Sequence, residues 1–492
     1  MRPRKRLNSD VWGICFRSEE IKIRFRLTLS HPATTEYEFD NLAHSFSRTA
    51  SELEQREHWH STAGRTPVNR PILGCPSRHQ HPSLLMKRHA FSLLRGSWST
   101  PTARIYGRIT TASISSASNI TKGRPNAWNG AGAAEFDMRS DTMTKPTISM
   151  LEAISQTSLL DDVFSEDPIT NELQSYVADR TGHESALLVM SGTMGNQVAI
   201  RTHLAQPPYS VLCDHRSHII HYEAGGVSAW TGAMVSPVIP KNGIYMTLED
   251  LQKHAVLIDD VHYCPTRLIS LENTLDGLVM PLSEARRITE WAHANGIKVH
   301  LDGARLWEAA ASGSGSLVDY ASLFDSVSLC FSKGLGAPIG SIIVGSKDFI
   351  DKARWFRKAF GGGVRQAGVI AAAARVAVED TFGPEPNGQA GKLPEAHVRA
   401  RKVANMWTSR GGKLSCPVHT NMIWLDLESS GLGPNDLAEI GETKGLKLSG
   451  SRIVVHYQVS DEALSRLEQV FDVAMSGKFQ RSSNQSRPYG SK

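Results

Sequence analysis

The sequence lacks any run of apolar residues long enough to cross a bilayer, and its opening residues lack the charge, apolar core and cleavage site of a secretory signal. Both absences lead us to expect a soluble, intracellular protein with no membrane partner. Cysteine is sparse, with six residues at positions 15, 75, 213, 264, 330 and 416 and no C-x-x-C pair. That spacing supports neither a zinc site nor a disulfide framework, so no metal is expected. Asn119-Ile120-Thr121 is then a chance sequon without a glycosylation route. The G-x-x-x-x-G-K-[ST] loop is missing as well, and Gly334, Gly336 and Gly340 have the wrong spacing for a dinucleotide fingerprint.

Acidic residues are absent from Met86 to Ala134, a stretch with seven Lys and Arg, many Ser and Thr, and Phe91, Leu93, Leu94 and Trp98 near its start. This reads as a mitochondrial transit peptide in the wrong place, since such peptides begin a chain. Either translation starts at Met86 and residues 1–85 are an over-extended gene model, or the whole segment is a disordered leader. Residues 1–134 carry 20 Lys+Arg against 9 Asp+Glu and the remainder 34 against 40, so the basic balance belongs to the front. The short run Arg2-Pro3-Arg4-Lys5-Arg6 has no aromatic interleaving and reads as a solvated tail, without a nucleic-acid partner. The expected compartment is the cytoplasm, with the mitochondrion as the alternative. N-terminal sequencing of the native protein should find a start near Met86 or later if the gene model is over-extended, and Met1 if it is not.

What is present centres on Lys333. Asp325 to Phe331 reads as a buried strand that delivers this lysine into the glycine-rich turn Gly334-Leu335-Gly336. An amine at the end of an apolar strand loses solvation and becomes a usable nucleophile toward a carbonyl, although a lysine before glycine is more often a solvated loop residue. Upstream, Ile297 to Leu301 reads as a strand closed by Asp302. An aspartate there either pairs with a protonated pyridine nitrogen or caps the helix that follows. Ser191-Gly192-Thr193, after the apolar run Ala186 to Met190, would offer hydroxyls and free backbone N–H groups to a phosphate at a helix N-terminus.

From about residue 135 strand-like and helix-like segments alternate. Leu282 to Asn295 has Ala285, Ile288, Trp291 and Ala292 at helical spacing and stops at Gly296. Repeated βα units predict a largely parallel sheet covered by helices, with ligands at the strands' carboxyl ends. A Pro/Gly-rich break follows Thr381. Beyond it, a helix near His397–Thr408, strands at Met422–Leu427 and Ile453–His456, and a helix over Asp461–Ala474 predict a smaller α+β domain. The divisions are 1–85, 86–134, a large domain 135–382, a small domain 383–476, and a polar tail 477–492.

A phosphate cradle, an acid and a lysine, each after a strand and in that order, resemble pyridoxal-phosphate enzymes of the aspartate-aminotransferase fold. Seven segments sharpen the resemblance. They are Phe136 to Thr144, Asp161 to Phe164, His218 through Gly226, Ser270 to Thr274, His300 to Arg305, Ser332 to Gly336, and Gly361 to Gln366. Together, in this order, they are similar to the low-specificity L-threonine aldolases. The resemblance implies an α/β fold with a mostly parallel seven-stranded sheet between helices, and pyridoxal 5'-phosphate held through Lys333 as a Schiff base. It implies Asp302 at the ring nitrogen, Ser191, Gly192 and Thr193 at the phosphate, and Arg365 there too, from this chain or a neighbouring subunit. Ser140, Arg305 and Arg452 would take the substrate carboxylate. His218, stacked on the ring, and His262 would meet the β-hydroxyl, while His215, His221 and His300 are left as bystanders. Val364 and Phe164 depart from the family's usual Met and Tyr. The implied reaction is retro-aldol cleavage of L-threonine or L-allo-threonine, a 3-hydroxy amino acid, to glycine and acetaldehyde by a homodimer or homotetramer. A β-eliminating lyase or amino-acid racemase on the same scaffold is the alternative, with a non-catalytic scaffold relative behind it.

Overall fold

The computed structural model describes residues 127–477, so residues 1–126 and 478–492, with most of the leader and the polar tail, lie outside the described residues. Seven short strands make one sheet. They are β1 (Ser185–Val189), β2 (Ser210–Asp214), β3 (Met234–Val238), β4 (Thr266–Glu272), β5 (Lys298–Asp302), β6 (Ser326–Cys330) and β7 (Ser341–Gly345). Their order is β1-β7-β6-β5-β4-β2-β3, parallel throughout except that β7 runs antiparallel to both neighbours. Every residue of β2, β6 and β7 is buried. Small and β-branched residues in near-continuous runs are what a sheet covered on both faces demands. Because β1, β2, β4, β5 and β6 all point one way, their carboxyl ends open on a single edge, where ligands bind in open α/β sheets.

Local chemistry sets the helices that carry the chain back. In α1 (Pro168–Thr181), Asp167 caps the start by accepting the Thr170 N–H at 2.8 Å, and Gly182, at φ +71°, ends it. Ser191 caps α2 (Gly192–His203) in the same way, its Oγ accepting the Met194 N–H at 3.1 Å. The expected helix after residue 281 is α3 (Leu282–Ala294), which buries Ala285, Ile288, Thr289 and Ala292 along one stripe. Gly296, at φ +68°, then turns the chain directly into β5. The short α4 (Leu306–Ala311) is buried along its whole length.

A second sheet, in the order β10-β9-β8, follows: β8 (Lys413–Leu414), β9 (Met422–Asp426) and β10 (Arg452–Val454), all antiparallel. It packs with α5 (Leu393–Thr408) and α6 (Asp461–Met475) around Trp407, Ile423, Leu425, Ile453, Leu467 and Phe471. The sequence starts α5 near His397, whereas its first turn holds Pro394. A proline suits that position because the N–H it lacks has no intrahelical partner there. Residues from the front of the described chain join this sheet: the Val454 N–H donates to the Met138 carbonyl at 2.9 Å, and the Met138 N–H to the Lys447 carbonyl at 2.9 Å. No helix among the described residues is long and apolar enough to cross a membrane.

Trp307 ties the two halves of the future site together. It lies on α4 two residues past Arg305, packs on Phe382 at 5.0 Å between ring centroids, and its indole N–H donates to the Cys330 carbonyl at 3.0 Å. Trp307→Phe should cost about 1–3 kcal/mol in urea unfolding, because a buried carbonyl loses its donor. Trp307→Ala should cost about 3–5 kcal/mol, since it also leaves a cavity.

Candidate active site

Each strand's carboxyl end contributes one part. β1 runs into Ser191 and the first turn of α2, β2 leads to His218, β4 ends on Glu272, β5 on Asp302, and β6 delivers Lys333 three residues on. Two glycines let α2 lie against β6. A Cβ on Gly192 would stand 2.7 Å from Cys330 Sγ, and one on Gly195 3.2 Å from the Ser328 side chain. Gly362 does the same for the Arg365 segment, where a Cβ would meet Met194 Sδ at 2.6 Å in that first turn. Arg365 itself bonds Asp161 at 2.6 Å and lies over the Phe164 ring, half exposed.

Asp302 is buried behind this edge. Its Oδ1 accepts the Ala304 N–H at 3.0 Å and its Oδ2 accepts the Asn196 amide at 2.7 Å. It bonds a local N–H two residues on, but the cap position of α4 belongs to Arg305. The same Asn196 amide nitrogen donates to Glu223 Oε1 at 2.8 Å, and Gln197 also donates to Glu223. His218 Nδ1 is 2.8 Å from that Glu223 oxygen. Ligating atoms of His218, Glu223 and Asp302 all fall within 4.8 Å of one another. With Nδ1–H donated to a carboxylate, the Nε2 lone pair of His218 is left to take a proton.

Glu272 completes the floor. It pairs in register with Asp302 across β4 and β5, and its Oε2 accepts the His218 backbone N–H at 3.0 Å. Desolvation, and then the charge of Asp302 beside it, push its carboxyl well above the usual carboxyl range. The Lys333 charge acts on both Glu272 and Asp141, and among the described residues no hydrogen bond engages its amine.

The two arginines converge from different sheets. Arg305 grips Asp141 with Nε at 2.8 Å and Nη2 at 2.7 Å. Burial opposes ionisation of Asp141, yet the Arg305 charge overrides it and holds the carboxyl down at about 2. Arg452 donates to the Arg139 carbonyl at 3.0 Å, and burial, followed by the charge of Arg305, pushes its guanidinium down. A guanidinium pushed down by burial and by a neighbouring guanidinium favours an added anion. Ser140 stands beside them, its Oγ accepting from the Thr142 N–H at 3.2 Å.

The structure thus brings Lys333, Asp302, His218, Arg305, Arg452 and Ser140 to one edge. Ser191, Gly192 and Thr193 form the helix start at the same edge. It does not bring His262 there within one copy of the chain: that imidazole is 83% exposed on the loop before β4, bonded to Asp260 at 2.8 Å. Asn196, Glu223, Glu272 and Asp141 carry no role in the sequence reading, although all but Asn196 lie inside the seven quoted segments. His300, read there as a bystander, is fully buried against Asn196. An acid closing β4 in register with the acid closing β5 was a visible signal for Glu272.

These residues fit pyridoxal phosphate: a free amine, a buried carboxylate one strand away, and a capped helix start with small residues for the phosphate. Fold and site together define a pyridoxal-phosphate-dependent lyase. The family model for the beta-eliminating lyases matches residues 137–430. The chain is 55% identical over 354 residues to the aldolase vrtJ of Penicillium aethiopicum, covering 71% of this chain and 89% of that one. It is 44% identical over 351 residues to the low specificity L-threonine aldolase of Saccharomyces cerevisiae, covering 70% and 89%. To the alanine racemase TOXG of Cochliobolus carbonum it is 46% identical over 345 residues, covering 70% and 89%. The solved threonine aldolase of Leishmania major superposes with a TM-score of 0.58 at 18% identity, over 69% of this chain and 98% of that one, which bears on the fold. The chain belongs to the beta-eliminating lyase family and, within it, to the low-specificity L-threonine aldolases.

Because Glu272 binds its proton more tightly folded than unfolded, stability must fall as pH rises from the ordinary carboxyl range toward about 8. Glu272→Gln keeps the acceptor for the His218 N–H and removes this loss. In cofactor-free protein its Tm should exceed that of the wild type by about 2–4 °C at the upper end of that window, with the gap closing toward acid pH.

Proposed function

We propose that this chain cleaves the Cα–Cβ bond of L-threonine and L-allo-threonine, giving glycine and acetaldehyde. The observation that carries the reading is the pairing of His218 with Glu223, which turns a free Nε2 outward at the edge that also holds Lys333, Asp302 and both arginines. Lys333 would hold pyridoxal phosphate through its amine, Asp302 its ring nitrogen, and Ser191, Gly192, Thr193 and Arg365 its phosphate. The bound cofactor supplies an electron sink for the pair left on Cα when the bond breaks.

The chain's own groups do the rest. Arg305 and Arg452, with Ser140, take the substrate carboxylate. Arg305 is itself held rigid by Asp141, so the clamp arrives preorganised. Fixing the carboxylate selects which bond on Cα stands across the ring plane, and hence which one breaks. His218 Nε2 accepts the β-hydroxyl proton as the carbonyl of the aldehyde forms, and Glu223 steadies the resulting imidazolium. His262 would join from the exposed loop, and a homodimer or homotetramer would bring it and Arg365 to a neighbouring site.

Amino-acid racemisation is the second reading, favoured by the similarity to the alanine racemase TOXG at 46% identity, against 44–46% for the fungal low-specificity L-threonine aldolases. Both reactions need Lys333 and Asp302, but only the aldol cleavage needs a base at the β-hydroxyl.

Purified full-length protein should show a visible cofactor band that is lost in Lys333→Ala, and L-threonine should yield acetaldehyde in step with glycine. His218→Asn should lower kcat for cleavage by about 10²–10⁴-fold while the cofactor band stays. Inversion of L-alanine without aldehyde from any 3-hydroxy amino acid would establish the racemase, and release of ammonia with a keto acid the β-eliminating lyase.

A further inference from the structure

Asn196 sits where two parts of the site meet, and its own orientation is forced from behind. Both protons of its side-chain nitrogen face carboxylates, Asp302 at 2.7 Å and Glu223 at 2.8 Å. Its carbonyl oxygen must therefore receive only donors. Ser328 Oγ–H donates to it at 2.7 Å, and His300 Nε2 lies at 3.2 Å. Burial pushes the His300 imidazole down to about 4, so it is neutral and carries one ring proton. That proton has to be on Nε2, which makes Nδ1 an acceptor. The Ser326 hydroxyl, 2.8 Å away, donates to it. His203 Nε2, 2.7 Å from Ser326 Oγ, must then supply a proton to that oxygen. Burial pushes His203 down to about 3, so it too is neutral. Stacked on Phe349 with ring centroids 4.5 Å apart, it anchors the far end.

Each proton position in the series His203, Ser326, His300, Asn196 follows from the one after it. The series starts on the last turn of α2, crosses β6 and β5, and returns to the first half of α2. Besides Asp302 and Glu223, the charged or titratable groups around its working end are Glu272, His218 and Lys333.

We propose that Asn196 is a positioning residue that ties the carboxylate for the cofactor's ring nitrogen to the carboxylate behind the base. One amide sets both, and the buried series with Ser328 prevents it from flipping. A flipped amide would set its oxygen against two carboxylates, a loss on both sides at once. The cofactor half of this inference stands on the cofactor assignment alone, and only the His218 half rests on the aldolase reading.

The test measures pyridoxal-phosphate affinity by fluorescence titration and the visible circular dichroism of bound cofactor in the full-length chain. Asn196→Ala should loosen the cofactor by about tenfold and shrink the dichroism per bound cofactor, because Asp302 loses its orienting donor. Ser328→Ala spares the amide but releases its orientation, and should shift both readouts in the same sense by a smaller factor. Glu223→Gln should change cofactor affinity in the wild-type background and by a smaller factor in the Asn196→Ala background, since part of its effect travels through that amide and the rest through His218. A folded Asn196→Ala with unchanged affinity and dichroism would overturn the proposal, and so would a Glu223→Gln effect that persists undiminished in the Asn196→Ala background. Should Asn196→Ala fail to fold, unchanged affinity and dichroism in Ser328→Ala would overturn it. None of these readouts needs substrate, so failure to cleave threonine leaves them intact.

Discussion

Four carboxyl groups, buried Asp141, Glu223 and Asp302 and partly buried Glu272, crowd one edge of the sheet, where desolvation penalises any charge without a partner. Each is accommodated differently. Asp141 meets a two-pronged guanidinium, and its ionisation is secured by Arg305. Glu223 collects an imidazole and two amides. Asp302 takes one amide and one backbone N–H, which leaves it open to a cation on its remaining side. Glu272 makes no ion pair among the described residues, and desolvation with the charge of Asp302 pushes its carboxyl up. One kind of group, the carboxyl, thus behaves in four ways in four surroundings.

The surroundings are brought together where the front of the described residues meets the second sheet. Residues around Met138 hydrogen-bond to β10, so Ser140 and Asp141 arrive with Arg452 from the second sheet. Arg305 arrives from β5, and the Arg305–Asp141 pair joins the two groups. Trp307, two residues along, locks the Arg305 segment to the β6 strand that delivers Lys333. The Arg452 bond to the Arg139 carbonyl thus joins parts 313 residues apart in the chain.

Much of this was legible from residue order. Asp302 and Lys333 could be placed because a strand's end is marked by a shift from apolar to small or charged residues, and parallel strands put such ends on one edge. The cap at Ser191 and the stop at Gly296 were readable because caps and glycine turns are local, resting on hydrogen bonds within a few residues. Asn196 and His300 were not readable in this way. A buried asparagine and an inert surface one look alike in sequence, and His300 becomes a hydrogen-bond donor of fixed tautomer only when β6 brings Ser326 beside it.

Residue order alone was enough for the alternation of strands and helices, the family resemblance, and which residues stand at strand ends, because each depends on local periodicity or on ordered motifs. Which carboxyl is pushed up and which is held down, which nitrogen of His218 faces outward, and the separation of His262 from the site within a single chain came from folding. Those properties depend on burial and on partners distant in sequence. Dielectric surroundings and hydrogen-bond direction do not exist until the sheet, its helices and the second sheet have closed around them.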